Sequence, residues 1–291
     1  MEDTLLSEKY LDLLKSALCS SLYEESAWQV LSGPMRHFRM SWPSRMVAHS
    51  KHALLRFLRS RNLRLVRTVT FDPKNRENGL DWPMFGFTMT GRRRMDALHK
   101  CIENVLENDI PGDLIETGVW RGGSVILMRA VLNAHNDQNR VVWCADSFEG
   151  MPVPKDSDTR VSSFADFSDR EYLAVSLDQV KSNFDKFGLL DDRVRFLKGW
   201  FSDTLPDAPI QSISLLRLDG DLYASTRDAL VNLYHKVSPG GFVIVDDYNS
   251  WGGCQAAIND FRKERGITEP LVEIDSHCVL WQINREGTRV R

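Results

Sequence analysis

The sequence predicts an α/β fold: a mostly parallel, Rossmann-like sheet with helices on both faces, preceded by a helical N-terminal extension. Three observations carry that prediction. From about residue 110 onward, short runs rich in β-branched and aromatic residues (113–117, 141–145, 194–197, 213–218 and 242–245) alternate with stretches of helical spacing. That is the rhythm of βαβ units buried on both faces. Before residue 110 the alternation is absent, and apolar residues recur at helical spacing, as in Leu6, Tyr10, Leu13, Leu14, Ala17 and Leu18. Finally, 291 residues with 42% hydrophobic and 26% charged side chains suffice for one large α/β domain and an appendage, and exclude a disordered, collagenous or membrane-bundle protein.

Taken in order, the first strand (113–117) runs into a Gly-rich turn and then a helix over 124–133. The second strand ends at Asp146, the third runs over 194–197, and the fourth leads into Asp219-Gly220-Asp221. A helix over 225–237 places Leu230, Leu233, Tyr234 and Val237 on one face. Pro239-Gly240-Gly241 then ends it and turns the chain into the strand 242–245. A helix over 253–265 follows, and 269–274 with 278–283 form a closing antiparallel hairpin.

Composition narrows the function. Lys plus Arg at 37 against Asp plus Glu at 40 gives a net charge of −3, so bulk electrostatics do not favour nucleic acid as a partner. Five scattered cysteines without a Cys-x-x-Cys pair fit a reduced, cytoplasmic protein. The acidic N-terminus does not read as a signal peptide, and no apolar run is long enough for a transmembrane segment. One local departure stands out: Arg36, Arg39, Arg45, Lys51, Arg56, Arg59, Arg61, Arg64 and Arg67 occur with no acidic residue among them. Interleaved with Leu54, Leu55, Phe57, Leu58 and Leu63, they read either as a basic amphipathic surface or as a solvated or subunit-contact face.

The chemistry concentrates at predicted strand ends. Glu116-Thr117-Gly118-Val119-Trp120-Arg121-Gly122-Gly123-Ser124 is a strand running through glycines into a helix N-terminus, where backbone N–H groups and the helix dipole favour an anionic group. It lacks the Gly-x-Gly-x-x-Gly spacing of a dinucleotide fingerprint. Asp146, about thirty residues on, ends the next strand beside that turn, where an acid accepts hydrogen bonds from both hydroxyls of a ribose or instead caps the following helix. Asp219, Asp246 and Asp247 end two further strands whose carboxyl ends meet in one crevice. Converging carboxylates repel, so a cation or a basic partner such as Arg217 is required, and the hard oxygen donors suit Mg²⁺.

These residues resemble a known family. Gly112 to Gly123 (GDLIETGVWRGG), Asp146 to Pro152 (DSFEGMP), Arg217 to Thr226 (RLDGDLYAST) and Val237 to Tyr248 (VSPGGFVIVDDY) look like the macrocin O-methyltransferase family of class I S-adenosylmethionine-dependent methyltransferases. Its members include deoxysugar O-methyltransferases of macrolide and aminocoumarin antibiotic pathways. The resemblance covers roughly residues 84–284 and implies a methyltransferase domain over 84–291 with a seven-stranded sheet, leaving 1–83 as a lid or oligomer-contact extension. It further implies that Glu116, Thr117, Gly118, Arg121, Gly122 and Ser124 surround the methionine end of S-adenosylmethionine and that Asp146, with Ser147 and Phe148, holds the ribose. Gly199, Trp200 and Phe201 would edge the adenine, and Met89 and Thr90 would fold over the cofactor. Asp219, Asp246 and Asp247 match the family's Mg²⁺ ligands.

The implied reaction is methyl transfer to a hydroxyl of a small-molecule acceptor, by resemblance a deoxysugar of a glycosylated secondary metabolite. Mg²⁺ acidifies the hydroxyl and Asp219 takes its proton; His277 and His235 are further base candidates. Three rivals are weighed. A catechol-type phenol is served by the same metal chemistry. A non-catalytic scaffold would use the basic 36–67 stretch, but has no reason to keep three mutually repelling acids. A short-chain dehydrogenase would need a Tyr-x-x-x-Lys pair that is missing at the required place. Trp28, Trp42, Trp82, Phe85, Phe87, Trp251 and Trp281 form an aromatic set large enough either to line an acceptor pocket or to fill a core. The surplus N-terminal segment makes a homo-oligomer the expected assembly.

Overall fold

A computed structural model of the protein describes residues 2–24, 27–30, 65–81, 83–152, 173–250 and 252–284, together with 54, 57, 58, 60, 61 and 63. Its strands are β1 (Ala27–Val30), β2 (Val66–Val69), β3 (Asp113–Thr117), β4 (Val142–Asp146), β5 (Val194–Lys198), β6 (Ile213–Leu218), β7 (Val237–Val245), β8 (Val272–Glu273) and β9 (Val279–Gln282). Its α-helices are α1 (Glu2–Leu18), α2 (Pro73–Glu77), α3 (Gly91–Glu107), α4 (Gly123–Ala134), α5 (Leu177–Lys186), α6 (Phe201–Thr204), α7 (Tyr223–Leu233) and α8 (Gly252–Arg265).

Seven strands form one sheet in the order β5-β4-β3-β6-β7-β9-β8. β3, β4, β5, β6 and β7 pair in parallel, and β9 is antiparallel to both β7 and β8. The chain steps outward from β3 through β4 to β5, then returns to pair β6 on the other side of β3. The strand order therefore reverses between β3 and β6, and the crevice above their carboxyl ends is the natural ligand site of such a sheet.

The central strands form because their residues are buried on both faces. Every residue of β6 is buried, as are the last four of β3. On one face Leu114, Val142 and Leu215 pack with Met95, Leu98 and Ile102 of α3 and Val125 and Met128 of α4. On the other, Ile115, Leu216 and Val243 pack with Leu230 of α7, Ile258 of α8 and Trp281. Each such side chain contributes about 1.5–3 kcal/mol on burial. Two charged residues, Glu116 and Arg217, sit inside these apolar strands at 2% exposure each.

The fold corrects several expectations. Helix α1 forms, but its buried stripe is Leu11, Leu14, Leu18 and Cys19, while Leu6, Tyr10 and Leu13 are 60%, 41% and 59% exposed. The helical period was legible and its phase was not, because apolar residues occur on two sides of the helix. α1 joins the core rather than standing apart, and its last carbonyl, on Leu18, accepts from the N–H groups of Phe87 and Thr88 at 2.8 and 3.3 Å. The N-terminal region is not purely helical, since β1 and β2 pair antiparallel. Pro239-Gly240-Gly241 does not separate helix from strand. α7 ends at Leu233, a 3₁₀ turn covers Tyr234–Lys236, and all three residues lie within β7, with Gly240 at φ +86°. There the register of β7 against β6 shifts between Ile213 and Leu215, the irregular setting in which a strand tolerates proline.

Of the basic stretch, Arg36, Arg39, Arg45, Lys51, Arg56, Arg59 and Arg64 lie outside the described residues, while the Arg61 guanidinium lies 5.4 Å from the Phe57 ring centre. Trp42, Trp82 and Trp251 also fall outside, as does the side chain of Trp28. Trp281 belongs to the core and Phe85 is 67% exposed. Among the described residues, no helix is long and apolar enough to cross a membrane.

Candidate active site

A cavity of about 720 Å³ opens above the carboxyl ends of β3, β4, β6 and β7. Its floor follows from glycine chemistry. At Gly118 the chain leaves β3 with φ +95°, and a Cβ there would lie 1.9 Å from the carbonyl oxygen of Asp219. Only glycine lets the β3 turn cross the end of β6 this closely. The turn continues through Trp120 (φ +46°) to Gly122 (φ +92°), from which α4 begins. Gly123 donates its N–H to the Phe87 carbonyl at 2.9 Å, and a Cβ on Gly123 would strike the side chain of Thr88 at 2.6 Å. The 87–90 segment therefore lies directly across the start of α4, and Phe87, Thr88, Met89 and Thr90 line the cavity.

Asp146 ends β4 and knits two turns together. Its Oδ2 accepts from the Val119 N–H and its Oδ1 from the Phe148 N–H, both at 2.7 Å. Burial raises its pKa, and those backbone bonds pull the other way. Ser147 Oγ also lies 3.5 Å from Oδ1, so the carboxylate is held at the cavity wall by the turns it joins. Ser147 and Gly150 line the cavity beside it, and Gly199, Trp200 and Phe201 enter from the end of β5.

The acidic side is built on β6 and β7. One carboxylate oxygen from each of Asp219, Asp246 and Asp247 lies within 4.8 Å of the others. Arg217, from inside β6, donates Nη1 to Asp219 Oδ2 at 2.7 Å and Nη2 to Asp246 Oδ1 at 2.5 Å, and Nη1 also reaches Glu116 Oε1. Arg94, from α3, donates Nη1 to Asp246 Oδ2 at 2.8 Å and Nε to Asp275 Oδ2 at 2.7 Å. Burial pushes Asp246 upward, but Arg217 and Arg94 overcome it and hold the carboxyl below its usual range. Burial drives Asp219 and Asp247 well above theirs, reinforced by Asp246 for Asp219 and by Asp221 for Asp247. Burial likewise lifts Asp221 to about 7 and Glu116 to about 8, with Arg217 opposing the rise at Glu116.

Arg217 and Arg94 thus hydrogen-bond Glu116, Asp219, Asp246 and Asp275, and with Asp221 and Asp247 beside them six carboxyl groups meet two guanidiniums. An all-oxygen donor set rich in carboxyl groups fits a hard divalent cation such as Mg²⁺. Glu116 adds a second mark of a ligand site: it lines the cavity, and its buried Oε2 has no hydrogen-bond partner among the described residues. A ligand ammonium fits that orphan acceptor.

Of the sequence-predicted residues, Glu116, Gly118, Ser124, Asp146, Ser147, Gly199, Trp200, Phe201, Met89, Thr90, Asp219, Asp246 and Asp247 line the cavity. Thr117, Arg121, Gly122 and Phe148 do not. Thr117 points into the sheet, with its hydroxyl 3.4 Å from the Arg217 carbonyl oxygen. Arg121 lies on the Trp120 ring and donates to the Met84 and Gly86 carbonyls, tying down the loop before the 87–90 segment. Gly122 starts α4 against Val180, and Phe148 packs edge-on against Phe196 in the core. Sequence reasoning does not single out Trp120, Leu222 or Ser250, which also line the cavity, and reaches Arg94, another lining residue, only within the segment Thr88 to Asp96 that by resemblance folds over the cofactor. His277 lines it as well, whereas His235 falls in the 3₁₀ turn after α7 and does not.

A seven-stranded sheet with one antiparallel strand, a Gly-bearing turn from β3 into α4 and an acid ending β4 define a class I, S-adenosylmethionine-dependent methyltransferase. Within that class the chain belongs to the macrocin O-methyltransferase (TylF) family, whose model matches residues 7–283, and it is an O-methyltransferase. It is 54% identical over 212 residues, 72% of this chain and 81% of the relative, to 8-demethyl-8-(2,3-dimethoxy-alpha-L-rhamnosyl)-tetracenomycin-C 4'-O-methyltransferase of Streptomyces olivaceus. It is 48% identical over 220 residues, 75% of this chain and 84% of the relative, to demethyldecarbamoylnovobiocin O-methyltransferase of Streptomyces niveus. Among solved structures, the O-methyltransferase NovP superposes with a TM-score of 0.76 at 39% identity, covering 96% of this chain and all of that one.

Proposed function

We propose that this protein transfers the methyl group of S-adenosylmethionine to a sugar hydroxyl of a glycosylated secondary metabolite in antibiotic biosynthesis, with Mg²⁺ at Asp219, Asp246 and Asp247. The observation that carries the reading is the meeting, in one cavity, of those three carboxylates and the orphan acceptor of Glu116. The Streptomyces olivaceus relative is named for methylating a rhamnosyl compound, which favours a sugar over a catechol.

In this reading Glu116 receives the cofactor's ammonium, while Gly118, Ser124 and the start of α4 meet its carboxylate. Asp146 and Ser147 hold the ribose, Gly199, Trp200 and Phe201 flank the adenine, and Met89 and Thr90 cover the ligand. Thr117, Arg121, Gly122 and Phe148 shape these walls from outside. Bound Mg²⁺ supplies acidification of a hydroxyl whose own pKa is too high for attack. Asp219, which lines the cavity at the end of β6, accepts the hydroxyl proton. As that proton leaves, the oxygen bonds to the methyl carbon, the carbon–sulfur bond breaks, and the sulfonium becomes a neutral thioether.

The methyltransferase domain spans 84–291 in this reading, and residues 1–83, whose α1 packs into the same core, serve as a lid or as homo-oligomer contacts. Gly79 and Leu80 already line the cavity from that segment. Five free, buried cysteines fit a cytoplasmic setting. Calorimetric titration of S-adenosylhomocysteine and of Mg²⁺ tests the reading. Asp246→Ala is expected to abolish Mg²⁺ binding and turnover of an aryl α-L-rhamnoside while leaving S-adenosylhomocysteine affinity within about threefold. Wild-type protein that binds neither ligand, or methylates catechol but no glycoside, overturns it.

A further inference from the structure

We infer that Asp275 is a positioning residue for the acid cluster: it is the counter-charge of Arg94, and it lets that guanidinium orient Asp246 without cancelling the negative charge Asp246 presents to a divalent cation. The inference rests on the proposed cation site at Asp219, Asp246 and Asp247, and adds a residue outside the cavity lining that sets how strongly the site binds.

Three side chains from distant parts of the chain form one line of contacts. Asp275 lies in the turn between β8 and β9, Arg94 near the start of α3, and Asp246 directly after β7. Arg94 donates Nε to Asp275 Oδ2 at 2.7 Å and Nη1 to Asp246 Oδ2 at 2.8 Å. The side chains of Asp275, Arg94 and Asp246 are 2%, 7% and 6% exposed, so water and salt screen their charges little. The turn cannot drift from the cluster. β9 pairs with β7 up to Val245↔Val279, one residue before Asp246, and beyond it the Asn249 N–H donates to the His277 carbonyl at 3.0 Å. Asp275 Oδ1 accepts from the N–H groups of His277 and Cys278 at 2.8 and 2.9 Å, which leaves Oδ2 fixed toward Arg94.

Charge explains why the line ends in an acid. Asp246 accepts from two guanidiniums, Arg217 on Oδ1 at 2.5 Å and Arg94 on Oδ2. Two full positive charges on one carboxylate more than offset its single negative charge and oppose a cation bound beside it. Arg217 is shared with Asp219 and Glu116 at the cavity wall. Arg94 is shared with Asp275 behind it. The Arg94–Asp275 pair therefore gives Asp246 a hydrogen bond that fixes its carboxylate and adds little net positive charge. Groups that orient a metal ligand from behind are typically worth about 10- to 100-fold in metal affinity.

An Asp275 that served only its own turn would leave the cation site alone, and substitution separates the two roles. Asparagine keeps an oxygen for the N–H groups of His277 and Cys278 and loses the charge and the acceptor that face Arg94. Serine does the same with its hydroxyl. Either change leaves Arg94 with Asp246 as its remaining carboxylate partner of the two, so the positive charge falls on the cation site.

The test titrates Mg²⁺ and, separately, S-adenosylhomocysteine into full-length wild type, Asp275→Asn and Asp275→Ser by calorimetry, and repeats Asp275→Asn in an Arg94→Met background. Mg²⁺ affinity is expected to fall about 10- to 100-fold in both single variants. The KM for Mg²⁺ in methylation of an aryl α-L-rhamnoside should rise by the same factor, with a smaller change in kcat. S-adenosylhomocysteine affinity should stay unchanged, which shows that the cavity is intact. Without Arg94 there is no cation for Asp275 to balance, so Asp275→Asn should change Mg²⁺ affinity little in that background. Wild-type Mg²⁺ affinity in Asp275→Asn, equal losses of Mg²⁺ and S-adenosylhomocysteine affinity, or the same loss with and without Arg94 overturn the inference while leaving the cation site standing. A wild type that binds no Mg²⁺ overturns the site and this inference with it.

Discussion

Glu116→Gln separates two effects that most active-site substitutions confound. In the folded protein burial lifts the Glu116 carboxyl to about 8 against an ordinary value of 4.5. At pH 7 the folded chain holds a proton there that the unfolded chain has released. That mismatch of about 2.5 pH units is worth at most about 3 kcal/mol against folding, and relaxation reduces it to about 1–2 kcal/mol. The sign follows from the raised pKa: the favourable contribution is fully present below pH 4.5 and is lost as pH rises through 8. Glutamine keeps an oxygen for Arg217 and has no proton to gain or lose. The unliganded variant should therefore be more stable by about 1–2 kcal/mol at pH 7, a rise in Tm of roughly 2–8 °C, with little pH dependence from this site. Ligand binding should move the other way. Losing the charge-assisted bond from Glu116 to the cofactor's ammonium costs about 1.5–3 kcal/mol, or roughly 10- to 150-fold in S-adenosylhomocysteine affinity. Scanning calorimetry at pH 5, 7 and 8.5 and isothermal titration in buffers of different ionisation enthalpy measure both, and wild type should release a proton on binding that the variant does not. A variant that is less stable, or that binds S-adenosylhomocysteine as wild type does, refutes the assignment of Glu116 to the ammonium.

Two further substitutions check the geometry elsewhere. Gly118→Ala places a Cβ 1.9 Å from a backbone oxygen at φ +95° and should cost about 4 kcal/mol or more, whereas Gly188→Ala, at φ +64° with no atom within 4 Å, should cost about 1–2 kcal/mol. Urea unfolding compares the two, and similar costs would remove the close β3–β6 crossing as the cause. His99 is pulled down to about 4, chiefly by burial and then by Lys15, so its contribution is fully present above pH 6.5 and is lost as pH falls toward 4. His99→Gln should flatten about 1–2 kcal/mol of that loss in pH-dependent thermal unfolding, and an unchanged slope would assign the acid sensitivity to other groups.

How much was legible follows from how far apart interacting residues lie. The strands could be read because β3, β4 and β6 are buried on both faces and centre on short apolar runs between helical stretches. The acids could be read because parallel strands send their carboxyl ends to one crevice wherever the helices lie. Arg94 could not, since its partners Asp246 and Asp275 are 152 and 181 residues away and nothing local marks a helical arginine as theirs. Nor could the sequence separate Gly118 and Ser124, which line the cavity, from Thr117 just before them and Gly122 between them, which do not. Along a turn with alternating φ, facing is set by dihedral angles rather than by residue type.

The pairing of Glu116 with Arg217 shows why a charge in a buried strand marks function. The two are register partners across β3 and β6, at the point where the strand order reverses, and each is 2% exposed. Replacing a buried pair of ionisable groups by well-packed apolar residues of similar volume is often neutral or stabilising by about 1–4 kcal/mol, so folding alone gives no reason to keep this one. The apolar alternative would also remove what the crevice needs: an acceptor with an unused oxygen, and a guanidinium that orients Asp219 and Asp246 while leaving Asp247 to the cavity. Arg94 completes the arrangement from outside the sheet, since it is the second cation on Asp246 and carries the connection to the turn that presents His277. Stability and chemistry therefore make opposite demands on the same few positions, and the fold answers by surrounding them with an apolar core on both faces of the sheet.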